Sequence, residues 1–343
     1  MQNSHQTVRK ILFTTVIAFV SLALHAQTRP VSNLYFETRF DYNQEYLSGE
    51  TVKDNSGFKG RYLNIKMDGY LSDHLSYSFR HRLNKPIKNA AFFDATDWVT
   101  LTYTKSSWSL SAGKQVVGIG GFEYDGAPID LYFCSEYWNN IACYQFGVSG
   151  TYSTPSGKDR LSLQFCQSPF DGFAYNLMWN GSHDFYTSIW SVNMLEYLPG
   201  RFINYIALGN RFSFGDFVMD LDLMNRASDI REMLGKDISI MSQISWSPFE
   251  RLKIFAKLTY DRNATESNAD LCVNSGTDLL RVGGGIEYYP IKGFKDLRIH
   301  LNCCFTSGKN ASPAGALLPD QTIVDAGLTW KINLLKLVKP SRS

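Results

Sequence analysis

What this chain of 343 residues lacks narrows its class. Beyond Leu24 no stretch approaches the roughly 20 apolar residues that a membrane-spanning helix needs, so a helical membrane protein is excluded. Charged residues are few at 19%, and they nearly cancel to a net charge of +2, which argues against nucleic acid as a partner. No linker, composition shift or low-complexity run marks a domain boundary. The six cysteines (Cys134, Cys143, Cys166, Cys272, Cys303 and Cys304) fit no zinc or redox spacing. Cys303 and Cys304 are neighbours in a strand-like segment, where they point to opposite faces and do not bridge each other. The cysteines therefore read as small apolar filler, with a loop disulfide at Cys134 or Cys272 left open. His74, His81, His183 and His300 likewise show no metal-ligand spacing, and no metal or cofactor is expected.

What is present is a leader followed by alternation. Arg9-Lys10 precede an apolar run from Ile11 to Leu24, and Ala26 stands before Gln27, the layout of a cleavable export signal over residues 1–26. Residues 27–343 then form one domain of short segments that alternate apolar and polar side chains, the period of a strand with two different faces. Aromatic content is high at 14%, yet apolar residues are scattered by alternation and not gathered in blocks. The connections run long, short, long, short, and about sixteen segments can be counted, with fourteen or eighteen as alternatives. Such a chain predicts an all-β fold, an antiparallel transmembrane β-barrel in the outer membrane, with short periplasmic turns and longer outer loops. A count near sixteen leaves an aqueous lumen.

Alternation also assigns faces. Leu161, Leu163 and Phe165 read as lipid-facing, with Arg160, Ser162 and Gln164 inward. Val324, Ala326, Leu328, Trp330 and Ile332 oppose Asp325, Thr329 and Lys331, and Leu297, Ile299 and Leu301 oppose Arg298, His300 and Asn302. A charge on the lipid face costs about 2–4 kcal/mol at midplane, so the polar stripe belongs inside. The segments predicted as strands nine and ten alternate poorly.

The longest connection falls between the fifth and sixth strands, from about Gln115 to Asn140. It carries Gly118, Gly120 and Gly121, then Glu123, Asp125, Asp130 and Glu136. Gly113-Lys114-Gln115 followed by this glycine-rich stretch resembles the strand-to-constriction junction of the phosphate-selective porin O and P superfamily, and the whole chain after the leader is similar in style to a Gram-negative porin. That resemblance implies a third outer loop folded into the channel, a homotrimer, and passive diffusion of small hydrophilic solutes or ions through a barrel embedded in outer-membrane lipid. It further implies pore-lining or constriction positions at Arg39, Lys66, Arg80, Arg82, Lys114, Glu123, Asp125 and Asp130, with the early-strand arginines facing the loop carboxylates across the pore. The expected inward bases and acids are nearly balanced, which predicts a weak anion preference at most.

Two other readings stay open. Some outer-membrane barrels are phospholipase- or protease-like enzymes, and His183-Asp184 is the nearest hint of one, in a predicted short turn. A structural barrel that conducts nothing is the other. Gly283-Gly284-Gly285 and Gly118-Ile119-Gly120-Gly121 resemble fragments of nucleotide loops but open no helix after a parallel strand.

Overall fold

The computed structural model describes residues 31–85, 92–170, 172–229, 234–265, 268–312 and 317–337; the expected leader, residues 1–26, lies outside them. Sixteen long strands form one closed antiparallel barrel. In chain order they are β1 Asn33–Leu47, β2 Gly57–Tyr70, β3 Leu75–Arg82, β4 Thr96–Lys105, β5 Trp108–Val116, β6 Tyr144–Ser153, β7 Asp159–Gln167 and β8 Phe173–His183. They continue with β9 Tyr186–Leu198, β10 Arg201–Phe214, β11 Phe217–Ala227, β12 Asp237–Phe249, β13 Leu252–Asn263, β14 Asp278–Tyr288, β15 Leu297–Lys309 and β16 Gln321–Asn333. A two-residue ladder, Glu50–Thr51, folds back on the end of β1. Closure comes from β16, which pairs with β1 from Tyr35↔Asn333 to Leu47↔Gln321 and so removes the last free sheet edge.

The faces follow the alternation. Leu163 is 66% exposed on the outer surface, whereas Asp41, Asn193 and His300 are buried on the inner one. The inverted pattern, apolar outside and polar inside, is that of a barrel whose solvent is lipid. No helix among the described residues is long and apolar enough to cross a membrane. All six cysteines are free thiols, and Cys303 is exposed where its neighbour Cys304 is buried.

Strand β1 extends five residues past its predicted end, to Leu47, and β6 begins at Tyr144, three residues later than predicted. The long-short rhythm holds at both ends of the chain and lapses in the middle, where β7–β8 and β9–β10 are joined by 168–172 and 199–200. Wall height is uneven too: β3 to β7 have 8 to 10 residues and the other strands 11 to 15. The connection between β5 and β6, residues 117–143, is the longest among the described residues and is called L3 below. It holds two short helices, α1 Phe122–Asp125 and α2 Glu136–Asn140. The connection between β13 and β14, residues 264–277, is called L7.

Candidate functional site: a loop strapped across the lumen

L3 does not stand above the barrel. Its first half lies on the inner wall of β7 to β11. Val117, Ile119 and Tyr124 pack with Ala174, Leu195, Ile203, Tyr205, Ala207 and Met224 in one buried apolar cluster. Backbone meets backbone here, and glycine is what permits it. A Cβ on Gly120 would come within 2.5 Å of the Ile189 carbonyl oxygen, and one on Gly209 of the facing strand within 2.7 Å of Gly121 Cα. The polar groups of this segment are met by the wall: Gly118 N–H donates to Gln164 Oε1 (2.7 Å), Gly120 N–H to Ser191 Oγ (2.7 Å), and Asn193 Nδ2 donates to the Gly118 carbonyl (2.7 Å).

Two wall carboxylates hold the loop's helices by their N-termini, where backbone N–H groups have no partner within the helix. Asp222 accepts from Phe122 N–H (2.8 Å) and Glu123 N–H (2.7 Å) at the start of α1. Asp261 accepts from Glu136 N–H (2.7 Å) at the start of α2, while the Ser135 hydroxyl accepts from Trp138 N–H (3.1 Å) as the local cap.

The tip of L3, residues 128–134, crosses to β1 and β13 to β16 and is held there by charge. Glu123 pairs with Lys257 (2.7 Å), whose ammonium also donates to the Phe133 carbonyl (2.8 Å). Asp130 pairs with both Arg298 (2.6 Å) and Lys331 (2.7 Å). Burial works to raise the Asp130 carboxyl, but Arg298 and Lys331 outweigh it and hold the group below its ordinary value. The Tyr132 hydroxyl donates to Glu287 (2.7 Å), and its ring stands 4.5 Å from the His300 ring and 4.7 Å under the Arg39 guanidinium. Arg39 itself pairs with Asp41 (2.7 Å) and donates to the Leu131 carbonyl (2.7 Å). Beside the tip, burial pushes the Cys134 thiol up to about 12, so it is an unreactive apolar filler.

The predicted early-strand bases therefore meet other partners than expected. Only Arg39 reaches the loop, and through a backbone carbonyl. Arg80 (2.8 Å) and Arg82 (2.9 Å) both pair with Asp97 of their own wall, and Arg80 also donates to the Tyr144 hydroxyl (2.7 Å) and stacks on Trp98. Lys66 pairs with Asp68 (3.4 Å). Lys114 departs most from the expectation of an inward base. It is paired with Val99 and Phe146, on the outward face shared by Leu101 and Ala112, and its ammonium caps the Phe93 carbonyl (2.7 Å). The physical reason is register: the side-chain period of two places Gln115, not Lys114, on the inner face. Asp125 makes no ion pair among the described residues. It opens onto the lumen near Arg160 and Arg211, though protein encloses it on most sides, and this burial raises its carboxyl against the pull of the two arginines. His183 of the enzyme reading contacts Asp159 (3.0 Å) of the neighbouring strand β7.

Sequence reasoning did not single out Asp97, Arg226, Asp261 or Asp270, nor the pairing of Glu123 with Lys257. The signal that could have found Asp222 and Lys257 as anchors was their place in the inward stripe. The remaining inner wall, β4 to β7, is lined by half-exposed hydroxyls that pair with each other: Thr102 with Ser111 (2.8 Å) and Thr151 with Ser162 (2.9 Å). None of the L3 anchors named above goes to these hydroxyl rows, so a row of polar hydroxyls is left open, with Arg160 of β7 exposed at one end of its strand.

Residues 33–176, from β1 through L3 into β8, match the family model of the phosphate-selective porins O and P. No curated protein matches the chain. Among solved structures, the anion-selective porin from Comamonas acidovorans superposes with a TM-score of 0.63 at 12% identity, over 87% of this chain and 98% of that one. OmpT of Vibrio cholerae in its trimer form gives 0.60 at 12%, over 88% and 98%. A mutant porin of Rh. blastica gives 0.54 at 12%, over 87% and 100%. At such identities the likeness to solved structures is one of fold.

Proposed function

We propose that the chain is an outer-membrane porin, like the phosphate-selective porins O and P whose family model matches residues 33–176, and that it passes small hydrophilic solutes and ions by passive diffusion, with a weak anion preference and no reaction or cofactor. The observation that carries this reading is L3: a long loop strapped inside a closed barrel narrows the lumen, and the β4–β7 hydroxyl wall facing it offers water-like contacts to a solute. The residues that set the narrow section are Arg39, Glu123 and Asp130 through the loop's attachment, Asp125 as the exposed loop carboxylate, and Arg80, Arg82 and Lys66 along the early strands. The anion preference draws support from Arg160 and Arg211, basic side chains partly open to the lumen near Asp125, and from Arg61; Arg211 is also paired with Asp220 (2.6 Å), and Arg61 with Asp41 (3.3 Å) and Asp325 (3.4 Å). A relative in fold is itself an anion-selective porin. Residues 1–26 serve as the export leader, and the working unit is three copies, the form in which one structural neighbour was solved.

Planar-bilayer recording on the purified protein tests this. Stepwise current increments are expected, with a reversal potential in a KCl gradient displaced slightly toward that of the anion. A barrel that inserts and gives no current removes the channel reading; strong cation selectivity removes the anion preference. Unheated electrophoresis of the detergent-solubilised protein should show a trimer.

A further inference from the structure

L7 also turns inward, through its described residues 268–277. Cys272 and Val273 are fully buried in the same apolar cluster as Tyr137 of L3 and Tyr205 of β10. Its anchor is Asp270, 3% exposed, which pairs with Arg226 of β11 (2.5 Å) and accepts from the N–H groups of Cys272 and Val273 (3.0 Å each). Arg226 is 1% exposed, and its other partners belong to the wall: Ser239 Oγ (2.5 Å) and the Arg262 carbonyl (3.0 Å). Burying a guanidinium without a countercharge is strongly unfavourable, and the carboxylate paired with this one comes from a loop.

The pair is also wired to L3. Ser239, which accepts from Arg226, donates in turn to Asp261. Asp261 is the carboxylate that holds the N-terminus of α2. Arg226 lies 5.9 Å over the Tyr137 ring, and Asn140 Nδ2 of α2 donates to the Cys272 carbonyl (2.7 Å). The barrel does not need this arrangement to close: β13 and β14 pair continuously from Leu252↔Tyr288 to Arg262↔Asp278 without L7.

We propose that Arg226 and Asp270 are positioning residues of the channel: their buried ion pair latches L7 into the lumen, and L7 with L3 forms a two-loop constriction. The proposal rests on the porin reading for its effect on current, and on the structure alone for its effect on L7. Cys272 supplies a built-in reporter, because a latched L7 hides its thiol and a released L7 shows it. The experiment uses the full-length protein with Cys303→Ser to remove the exposed thiol, reconstituted with and without Asp270→Asn or Asp270→Glu. Single-channel conductance is recorded, and Cys272 labelling by a charged maleimide is read by peptide mass spectrometry.

The Asn variant should conduct about twofold more than the parent, as expected for a widened polar pore, and its Cys272 should be labelled while that of the parent is not. The Glu variant should restore both towards the parent. Unchanged labelling in the Asn variant overturns the latch, whatever the current does. Labelling without a rise in conductance overturns the two-loop constriction. A parent that inserts without conducting defeats the porin reading, and the labelling contrast then still decides the latch. If the Asn variant does not insert, Asn140→Ala, which loses the bonds to Cys272 and Glu136 and leaves the Arg226–Asp270 pair in place, is labelled under the same conditions: a protected Cys272 supports the latch, and a labelled one overturns the pair as what holds L7.

Discussion

The two inner walls that hold L3 use opposite physics. On β7 to β11 the loop is held by shape: an apolar cluster, glycines that let backbones touch, and amide or carboxylate groups that accept or donate to its backbone. On β1 and β13 to β16 it is held by charge, through Glu123–Lys257, Asp130–Arg298 and Asp130–Lys331. Packing contacts and the buried Glu123–Lys257 pair scarcely feel salt, whereas the Asp130 pairs, which remain partly wet, do. The shape-built wall therefore fixes where the loop lies, and the charge-built wall fixes where its tip points. Breaking the first should free the loop under all conditions. Breaking the second should loosen only the tip, and only when salt has not already done so.

The largest effect is expected from Tyr205→Ala. Tyr205 is fully buried, edge-on to Tyr137 at 5.8 Å, with its hydroxyl towards the Cys272 sulfur. Truncating a buried aromatic costs about 3–5 kcal/mol, and since the β10 ladder does not depend on that ring, the loss falls on the docking of L3 and L7. Conductance should rise equally at 0.1 M and about 1 M salt, the range over which the Debye length falls from about 10 to 3 Å. A rise confined to one salt concentration would erase the distinction between the walls.

The same two walls explain what the sequence disclosed. The outer face of the barrel, its closure and its strand number were legible because lipid accepts only apolar side chains and the alternation is regular on strands such as β7 and β16. Strands β9 and β10 alternate poorly for a reason visible only in three dimensions. Leu195, Ile203, Tyr205 and Ala207 are inward and apolar because L3 and L7 cover them, so their inner face meets protein and not water. The departure from pattern marked the seat of the constriction. L3 was legible from its length and glycines, and the glycines proved to serve close approach to the wall. Its partners were not legible, because a carboxylate on a loop of this length can reach any side of the lumen and sequence spacing does not choose among them. Asp130 and Lys331, 201 residues apart, are the extreme case.

A smaller effect belongs to the charged wall. Asp130→Asn removes two ion pairs whose acid is 33% exposed, a contribution of about 1 kcal/mol at most. Open-channel noise from a mobile tip should be high in this variant at every salt concentration, and should reach that level in the parent only near 1 M. Because Arg298 and Lys331 hold the Asp130 carboxyl below its ordinary value of 3.8, its pairing stabilises the tip at all pH above that value and is lost as pH falls through the lowered one. The parent should thus stay quiet through pH 3.8 and become noisy only at lower pH, while the Asn variant shows no such step. A parent whose noise begins near neutrality would place the tip's hold somewhere other than Asp130.

The smallest effect lies on the face that neither wall grips. Asp125 makes no ion pair among the described residues, and burial raises its carboxyl above 3.8 although Arg211 and Arg160 pull the other way. On acidification it therefore takes up its proton before Asp130 does, and with that the exposed arginines lose their only nearby loop countercharge. The loop stays docked through this step, since Asp125 anchors nothing. The expected result is a change in selectivity without a change in noise: the reversal potential should move towards the anion's with a midpoint above pH 3.8, while noise begins only at lower pH. Asp125→Asn should show the enhanced anion preference already at pH 7 and no further movement through that midpoint. If selectivity and noise change together in the parent, Asp125 is part of the loop's attachment, and the division between gripping walls and a free polar face does not hold.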